Sequence, residues 1–406
     1  MKRILIILTT ATFLFGCKKQ SGNEIPQTNP TPKVDTSTAV MIDASMIQQT
    51  IYGFGGADII DWTGDLTTGQ RDTAFSPTNG IGLSIVRVRV PVDPAEFGQA
   101  KATIDACKSY GGFAIASVWS APASMKTNDS NIGGTIKPTS YADFAAYMRA
   151  FNAASGGLAD ISPTNEPNIS VTYESMQMTA SQVADFVAAE GDSCGSPIMA
   201  PEPFNMDQTY LNTYLSNDSA KLKTSFIAGH IYGATPYTLS VDKPVWMTEH
   251  YINSNLSGDD WSNAMNAGKE INDCMSAGWG AYVWWYIRRG YGPISESGNI
   301  QKLGYVMAQY ARYIRPGFTK ISCTEKPSTG IYVTAYSSGS KIVIVAINQN
   351  SSEVYLPFNL NGASVSGFTK YTSTSSSNLV SGSVSISGST FGTVLPVMSI
   401  TTLVSN

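Results

Sequence analysis

Lys243-Pro244-Val245-Trp246-Met247-Thr248-Glu249-His250-Tyr251 is an apolar run opened by a proline and stopped abruptly by a carboxylate. A buried parallel strand that delivers a charged group to the rim of a barrel has this form, hydrophobic along its length and polar at its C-terminal end. Alternation along a strand puts Val245, Met247 and Glu249 on one face, and an inward orientation of that face would set Glu249 on top of the core. A glutamate at a strand end is more commonly a solvated loop residue. This one needs a partner elsewhere in the chain.

Outward from this stretch, short apolar runs alternate with helical segments. The runs are 51–55, 84–90, 113–119, 158–163, 198–200, 225–230, 244–249 and 281–287. Helical patterns fall between them, at 94–109, 140–153, 180–190, 207–215, 260–276 and 301–313. Eight strand-like runs, most followed by a helix, predict an α/β fold: a (β/α)8 TIM barrel over residues 51–316. A doubly wound open sheet is the competitor, but Gly53-Phe54-Gly55-Gly56 lacks the GxGxxG spacing and leads into Trp62 rather than a helix. After Pro316 the pattern becomes short β-branched strands with glycine and serine turns, at 331–336, 341–348, 353–358, 368–371, 383–387, 390–395 and 398–404. That predicts an antiparallel β-sandwich domain over residues 317–406. Residues 38–50 hold one early strand, at 39–43, which has no place in the barrel and is expected to join the sandwich.

Lys2-Arg3 followed by the apolar run 4–15 has the form of a secretory signal and is too short to span a bilayer. Its end, Leu14-Phe15-Gly16-Cys17, resembles a bacterial lipoprotein box, which makes residues 1–17 a lipoprotein signal peptide and Cys17 the lipidated residue. Residues 18–37 are polar and proline-bearing, and read as a flexible tether. The expected location is the outer membrane or cell surface, otherwise the periplasm or medium, with the lipid anchor as the membrane contact.

The 26 basic against 30 acidic residues leave no positive excess to attract nucleic acid. A charged fraction of only 14% suits a neutral or weakly acidic ligand. The two histidines, His230 and His250, are too few for a histidine-rich zinc site, and Cys107, Cys194, Cys274 and Cys323 lack paired ligand spacing. No metal or other cofactor is expected, the cysteines read as buried thiols, and a monomer is expected.

Catalytic side chains in such a barrel lie just past the C-terminal strand ends. Those ends carry Arg87 and Arg89, Trp119, Asn165-Glu166, His230 with Tyr232, Glu249 with Tyr251, and Trp285 with Arg288-Arg289. Pro167 biases Glu166 toward an extended backbone. Asn165 can both donate and accept, as a sugar hydroxyl requires. Glu166 on the fourth run and Glu249 on the seventh can aim two carboxyls at one point above an eight-stranded ring. Such a pair is what a retaining glycosidase uses: one carboxylate attacks the anomeric carbon, the other protonates the leaving oxygen and later activates water. Arg87 or Arg89, with His230 and Tyr232, would hold the nucleophile ionised.

Trp119, Trp284 and Trp285 taken singly are more often core than ligand platform. Alternation separates two of them, placing Ala281, Val283 and Trp285 on one face and Tyr282, Trp284 and Tyr286 on the other. Small residues suit a crowded barrel interior, so Trp285 is assigned to the rim; Trp62 joins the aromatic candidates. Arg288-Arg289 is either an ordinary solvated pair or a grip on an anionic sugar substituent, which a guanidinium reads bidentately.

Seven segments stand together in order: 52–56 (YGFGG), 84–89 (SIVRVR), 119–122 (WSAP), 165–167 (NEP), 229–233 (GHIYG), 246–251 (WMTEHY) and 282–289 (YVWWYIRR). On them, the chain from about residue 38 onward resembles glycoside hydrolase family 30, in particular its bacterial glucuronoxylanase subfamily. The resemblance implies a barrel with a side β-sandwich built from both chain ends, and endo-cleavage of β-1,4-xylan with retention, glucuronoxylan being the polysaccharide bound. It implies Glu166 as acid/base and Glu249 as nucleophile. It places Arg289, Tyr291, Tyr251 and Ser254 where the subfamily binds a 4-O-methylglucuronate branch, and Trp119, Tyr173, Tyr232 and Trp285 at xylose subsites. His250 is expected with Tyr251 and Ser254 to join catalysis to branch recognition.

Two departures bear on glucuronate dependence: Gly290 stands where relatives commonly carry serine, and Ser124 where an aromatic is expected. Competing readings are a family relative acting on undecorated xylan, arabinoxylan or another β-glycan, and a non-catalytic glycan-binding surface lipoprotein.

Overall fold

The computed structural model describes residues 38–406; the expected signal peptide 1–17, Cys17 and the tether 18–37 lie outside the described residues. After β1 (Val40–Thr50), eight parallel strands close a barrel in chain order. They are β2 (Gly53–Ala57), β3 (Ile85–Arg89), β4 (Phe113–Ser117), β5 (Asp160–Ser162), β6 (Ile198–Pro201), β7 (Thr224–His230), β8 (Val245–His250) and β9 (Ala281–Trp284). Inside it, Ile85, Ile115, Met199, Phe226, Ala228, Trp246, Ala281 and Val283 form an apolar plug. Two residues further along four of these strands, the same parity brings Arg87, Ser117, His230 and Trp285. The interior is hydrocarbon low in the barrel and polar at the strands' C-terminal ends, where the connecting loops gather.

β8 departs from simple alternation. Trp246 faces the interior, stacked on Phe226 with 3.5 Å between ring centroids, while Val245 and Met247 pack in the outer cluster with the helices. Pairing with β7 runs Ala228 to Trp246 and Gly229 to Met247, then jumps to His230 with Glu249. The extra residue, Thr248, is a bulge, and it returns Glu249 to the interior face. The expectation that Val245, Met247 and Glu249 share an inward face is therefore corrected.

β2 is glycine-rich for a steric reason. A Cβ on Gly55 would stand 2.3 Å from the Ile85 carbonyl oxygen of the neighbouring strand. The run lets two backbones approach, and no phosphate is needed to explain it.

Nine helices are described: α1 (Ile60–Thr63), α2 (Thr68–Phe75), α3 (Lys101–Ser109), α4 (Tyr141–Ala154), α5 (Ala180–Glu190), α6 (Gln208–Leu215), α7 (Asp218–Lys223), α8 (Trp261–Ser276) and α9 (Lys302–Ala311). Of these α1, α2 and α7 were not expected. α1 carries Trp62 itself, so the glycine run does lead into a helical turn. α2 buries only Gln70, Ala74 and Phe75, too few for apolar periodicity, but it opens with a capping box between Thr67 and Gln70.

β10 (Thr319–Cys323), β11 (Ile331–Ser338), β12 (Lys341–Asn348), β13 (Val354–Asn361), β14 (Phe368–Ser373), β15 (Val380–Val384), β16 (Thr390–Leu395) and β17 (Ser399–Ser405) complete the chain. With β1 they form one nine-stranded sheet, ordered β15-β14-β17-β12-β11-β10-β1-β13-β16. It curls until β15 and β16 touch, enclosing Val40, Ile42, Ile344, Phe358, Phe391 and Leu403 in a core of its own. Its other face contributes Val343, Val345, Ile347 and Ile400 to the barrel's cluster. The sheet is mostly antiparallel, but β1 and β13 run parallel, a correction to the expected pattern. β10 was not expected, and β1 is longer than the apolar run 39–43 because its second half is largely exposed. The four cysteines from 107 onward are unpaired, three of them buried.

Candidate active site

Glu166, just past β5, and Glu249, at the end of β8, meet above the apolar plug. One carboxylate oxygen from each and a His230 ring nitrogen all lie within 4.8 Å of one another. Beneath them Arg87 is fully buried. Its Nη1 donates to Glu249 Oε2 at 2.6 Å, its Nη2 to Asn165 Oδ1 at 2.6 Å, and its Nε to Ser117 Oγ at 3.1 Å. The Tyr232 hydroxyl donates to Glu249 Oε1 at 3.0 Å. Of the two arginines considered as supports for Glu249, it is Arg87 that makes the contact.

Glu166 sits at φ 47°, in the left-handed region rather than the extended backbone expected before Pro167. Its N–H is satisfied by the Glu202 carbonyl at 3.0 Å. Glu202, at φ 53° and fully buried, is a third carboxylate that the sequence reading missed. Its Oε1 lies 3.3 Å from Arg87 Nη2 and 3.6 Å from His230 Nε2. A signal was present: Pro201-Glu202-Pro203 ends β6 much as Asn165-Glu166-Pro167 follows β5.

Burial raises the Glu166 carboxyl above its ordinary range; the His230 hydrogen bond opposes this, and the Glu249 charge adds to it. For His230, burial alone would lower the pKa. The Glu249 charge and the bonds to Glu166 and Glu202 outweigh it and hold the ring at about 9. For Glu202, burial alone would raise the carboxyl, but the charges and bonds of Arg87 and His230 bring it down to about 2. A charged His230 donates from Nδ1 to Glu166 Oε1 at 2.8 Å. The 3.4 Å approach of Nε2 to Arg87 Nη2 is then a contact between two donors that share Glu202. Glu166, His230 and Glu249 are also the kind of cluster that can ligate a metal. Here Arg87 and the charged imidazole already supply the cations these carboxylates face.

A cavity of about 450 Å³ opens over Glu166 and Glu249. Trp62, Trp119, Tyr173, Tyr232, Tyr251 and Trp285 all wall it, with Trp119 and Trp285 5.9 Å apart between ring centroids. Phe204 and Tyr286, which were not anticipated, complete it. Alternation had put Tyr286 on the helix side, but β9 ends at Trp284 and the chain turns. A larger cavity of about 700 Å³ beside Pro167 and Asn168 carries one carboxylate, Asp207, which caps α6, so the paired-carboxylate chemistry belongs to the smaller one.

The other candidates do not line the cavity themselves. Asn165 lies a layer lower, bonded to Arg87. His230 is fully buried and touches Glu166, so direct contact with a ligand is corrected to action through that carboxyl. Ser254 is exposed on the loop after β8, away from the cavity lining. Arg289 lies 5.2 Å over the Tyr286 ring and 3.6 Å from Glu296, and Tyr291 packs 5.3 Å from Tyr251. Arg288 turns away to donate to the backbone carbonyls of Thr63, Gly64 and Asp65, so the arginine pair divides its work. His250 binds Glu270 of α8 at 2.8 Å, and its ring lies 4.9 Å from that of Tyr232 and 6.5 Å from that of Tyr251 between centroids, behind the cavity wall.

The chain is 34% identical to Glucuronoxylanase XynC of Bacillus subtilis (strain 168), over 92% of its own length and 93% of that protein. It also superposes on the glycoside hydrolase family 30 subfamily 8 xylanase Xyn30A from Clostridium acetobutylicum with a TM-score of 0.85 and 31% identity, covering 91% of this chain and 100% of that one. The chain belongs to glycoside hydrolase family 30. Another family 30 member, an endoxylanase from Clostridium papyrosolvens C71, matches with a TM-score of 0.83 and 29% identity over 91% and 100% of the two chains. No protein-family model matches the sequence. Membership in family 30 accords with the closed barrel and the side sheet.

Proposed function

We propose that this family 30 chain is a retaining endo-xylanase, exported and tethered through Cys17, that cuts β-1,4-linked xylan at positions set by a glucuronate branch. The observation that carries the proposal is the approach of Glu166 and Glu249 to within 4.8 Å under an aromatic cavity. An approach this close is compatible with the roughly 5–5.5 Å carboxyl separation of a retaining pair and supports that over the wider separation of an inverting one.

Glu249 attacks the anomeric carbon while Arg87 and Tyr232 orient its two oxygens. Glu166, whose carboxyl burial pushes upward toward the protonated form a general acid needs, gives its proton to the leaving oxygen and then takes one from the attacking water. Only Oε1 of Glu166 is engaged by His230, which leaves Oε2 for the leaving group. The charge balance supports these roles. Before reaction, Arg87 and His230 face ionised Glu249 and Glu202; in the glycosyl-enzyme, Glu249 is an ester and the negative charge has moved to Glu166. The buried cluster stays neutral in both states, and a low dielectric favours that.

Branch recognition is assigned to Arg289 with Tyr251 and Tyr291 at the cavity rim. One observation favours the alternative, action on undecorated xylan: Glu296 already lies 3.6 Å from the Arg289 guanidinium. Mass analysis of products from glucuronoxylan, arabinoxylan and linear xylan decides between them. A dominant series of oligosaccharides each bearing one glucuronate is expected, and Arg289→Ala should lose about tenfold or more on the decorated polymer alone, the worth of one charged contact. An equal loss on linear xylan contradicts the assignment.

A further inference from the structure

Arg89 ends β3 two residues beyond Arg87, on the same inward face and one layer higher. It does not reach the catalytic carboxylates. Its Nε donates to Glu174 Oε1 at 2.9 Å, its Nη2 meets the other Glu174 oxygen, and its Nη1 meets Asp61 Oδ2. The guanidinium also lies 5.5 Å over the Trp62 ring. Asp61 directly precedes Trp62 on α1, and Glu174 directly follows Tyr173 in the loop between β5 and α5. Trp62 and Tyr173 are the most exposed aromatics of the cavity wall, at 37% and 50%. Each protrudes from a short segment that contributes little core of its own. Both segments have other ties. Ser175 accepts from the buried Lys126 ammonium at 2.8 Å and from the Gly133 N–H at 3.1 Å, and donates its own N–H to the Asn131 carbonyl at 3.0 Å. Thr63, Gly64 and Asp65 accept from Arg288; none of these ties joins the two segments to each other as Arg89 does.

We infer that Arg89 is a positioning residue: it brackets the loops of Trp62 and Tyr173 and so fixes the mouth through which an extended glycan chain enters. The inference rests on the xylanase reading above for the identity of the glycan. Only a guanidinium has the forked donors to hold one carboxylate with two N–H groups and a second with a third while stacking on an indole. Without it, Asp61 and Glu174 face each other as like charges, and the two aromatic walls lose the contact that fixes one relative to the other.

The test replaces Arg89 with Met and reads two properties. Hydrogen exchange of the free enzyme should rise in residues 60–66 and in residues 171–176 together. On xylo-oligosaccharides KM should rise about tenfold while kcat changes by less than about threefold, the pattern of lost binding rather than lost chemistry. Arg89→Lys, keeping the charge without the fork, should recover only part of the KM change. Asp61→Asn should loosen the first segment alone and Glu174→Gln the second alone; these variants also decide the question if Arg89→Met does not fold. Unchanged exchange in either segment overturns the bracket, and so does a fall in kcat without a change in KM. If the wild type is inert on xylan, the functional reading fails and the exchange measurements decide the bracket by themselves.

Discussion

Glu202 is a carboxylate that touches no cavity yet holds two cations in place, so its contribution is best read through pH. His230 sits at about 9 in the fold against about 6.5 when free, so its share of stability is complete below about 6.5 and is lost as pH rises through about 9. Glu202 sits at about 2 against 4.5, so its share is complete above about 4.5 and is lost as pH falls through about 2. Glu202→Gln removes one of the groups that keep His230 charged. The alkaline fall in melting temperature should begin at lower pH than in the wild type, and kcat should drop by about tenfold or more, part of what a general acid supplies. Thermal unfolding across pH checks the first outcome; an alkaline limb that does not move contradicts it. Glu249 was legible in the sequence because it closes an apolar run, and Glu166 because it stands in Asn165-Glu166-Pro167 just past one. Glu202 was not singled out, since a lone carboxylate after a very short strand shows no sign of the arginine and histidine that come to it from other strands.

At the scale of elements, the backbone fit between β2 and β3 makes a sharp demand. A side chain at Gly55 meets backbone atoms of Ile85, which cannot swing aside as a side chain does. Gly55→Ala should destabilise the barrel by about 1–3 kcal/mol, the usual cost of overpacking a tight core, measured as a shift in the denaturant midpoint. A midpoint within error of the wild type would show that the strands separate easily. All eight barrel strands were legible as apolar runs, because strands buried on both faces are continuously hydrophobic. Their facing was less so. Trp285 follows alternation and faces the rim, whereas Glu249 reaches the interior through the Thr248 bulge, and a bulge leaves no mark in the pattern of residue types. α2 and β10 were missed because each buries few apolar side chains, so neither shows the period that reveals such elements.

Across the whole molecule, the curled sheet braces the side of the barrel that carries α8 and α9. Trp261 donates to the Met398 carbonyl at 2.8 Å, and Thr402 Oγ1 to the Gln309 carbonyl at 2.7 Å, so both helices are tied to the sheet. Those helices follow the strands that deliver Glu249 and Trp285, and the sheet thereby supports half of the site from behind. The sequence announced this sheet by its alternating strands but not its reach into the barrel's cluster, because the outer face of β12 is as hydrophobic as its inner one. The central claim is that Glu166 and Glu249 act as a double-displacement pair on xylan. Proton NMR of the new reducing ends in the first minutes of hydrolysis tests it most directly. β-Anomers should appear first and relax slowly to the equilibrium mixture; α-anomers appearing first would mean inversion and would contradict a double displacement.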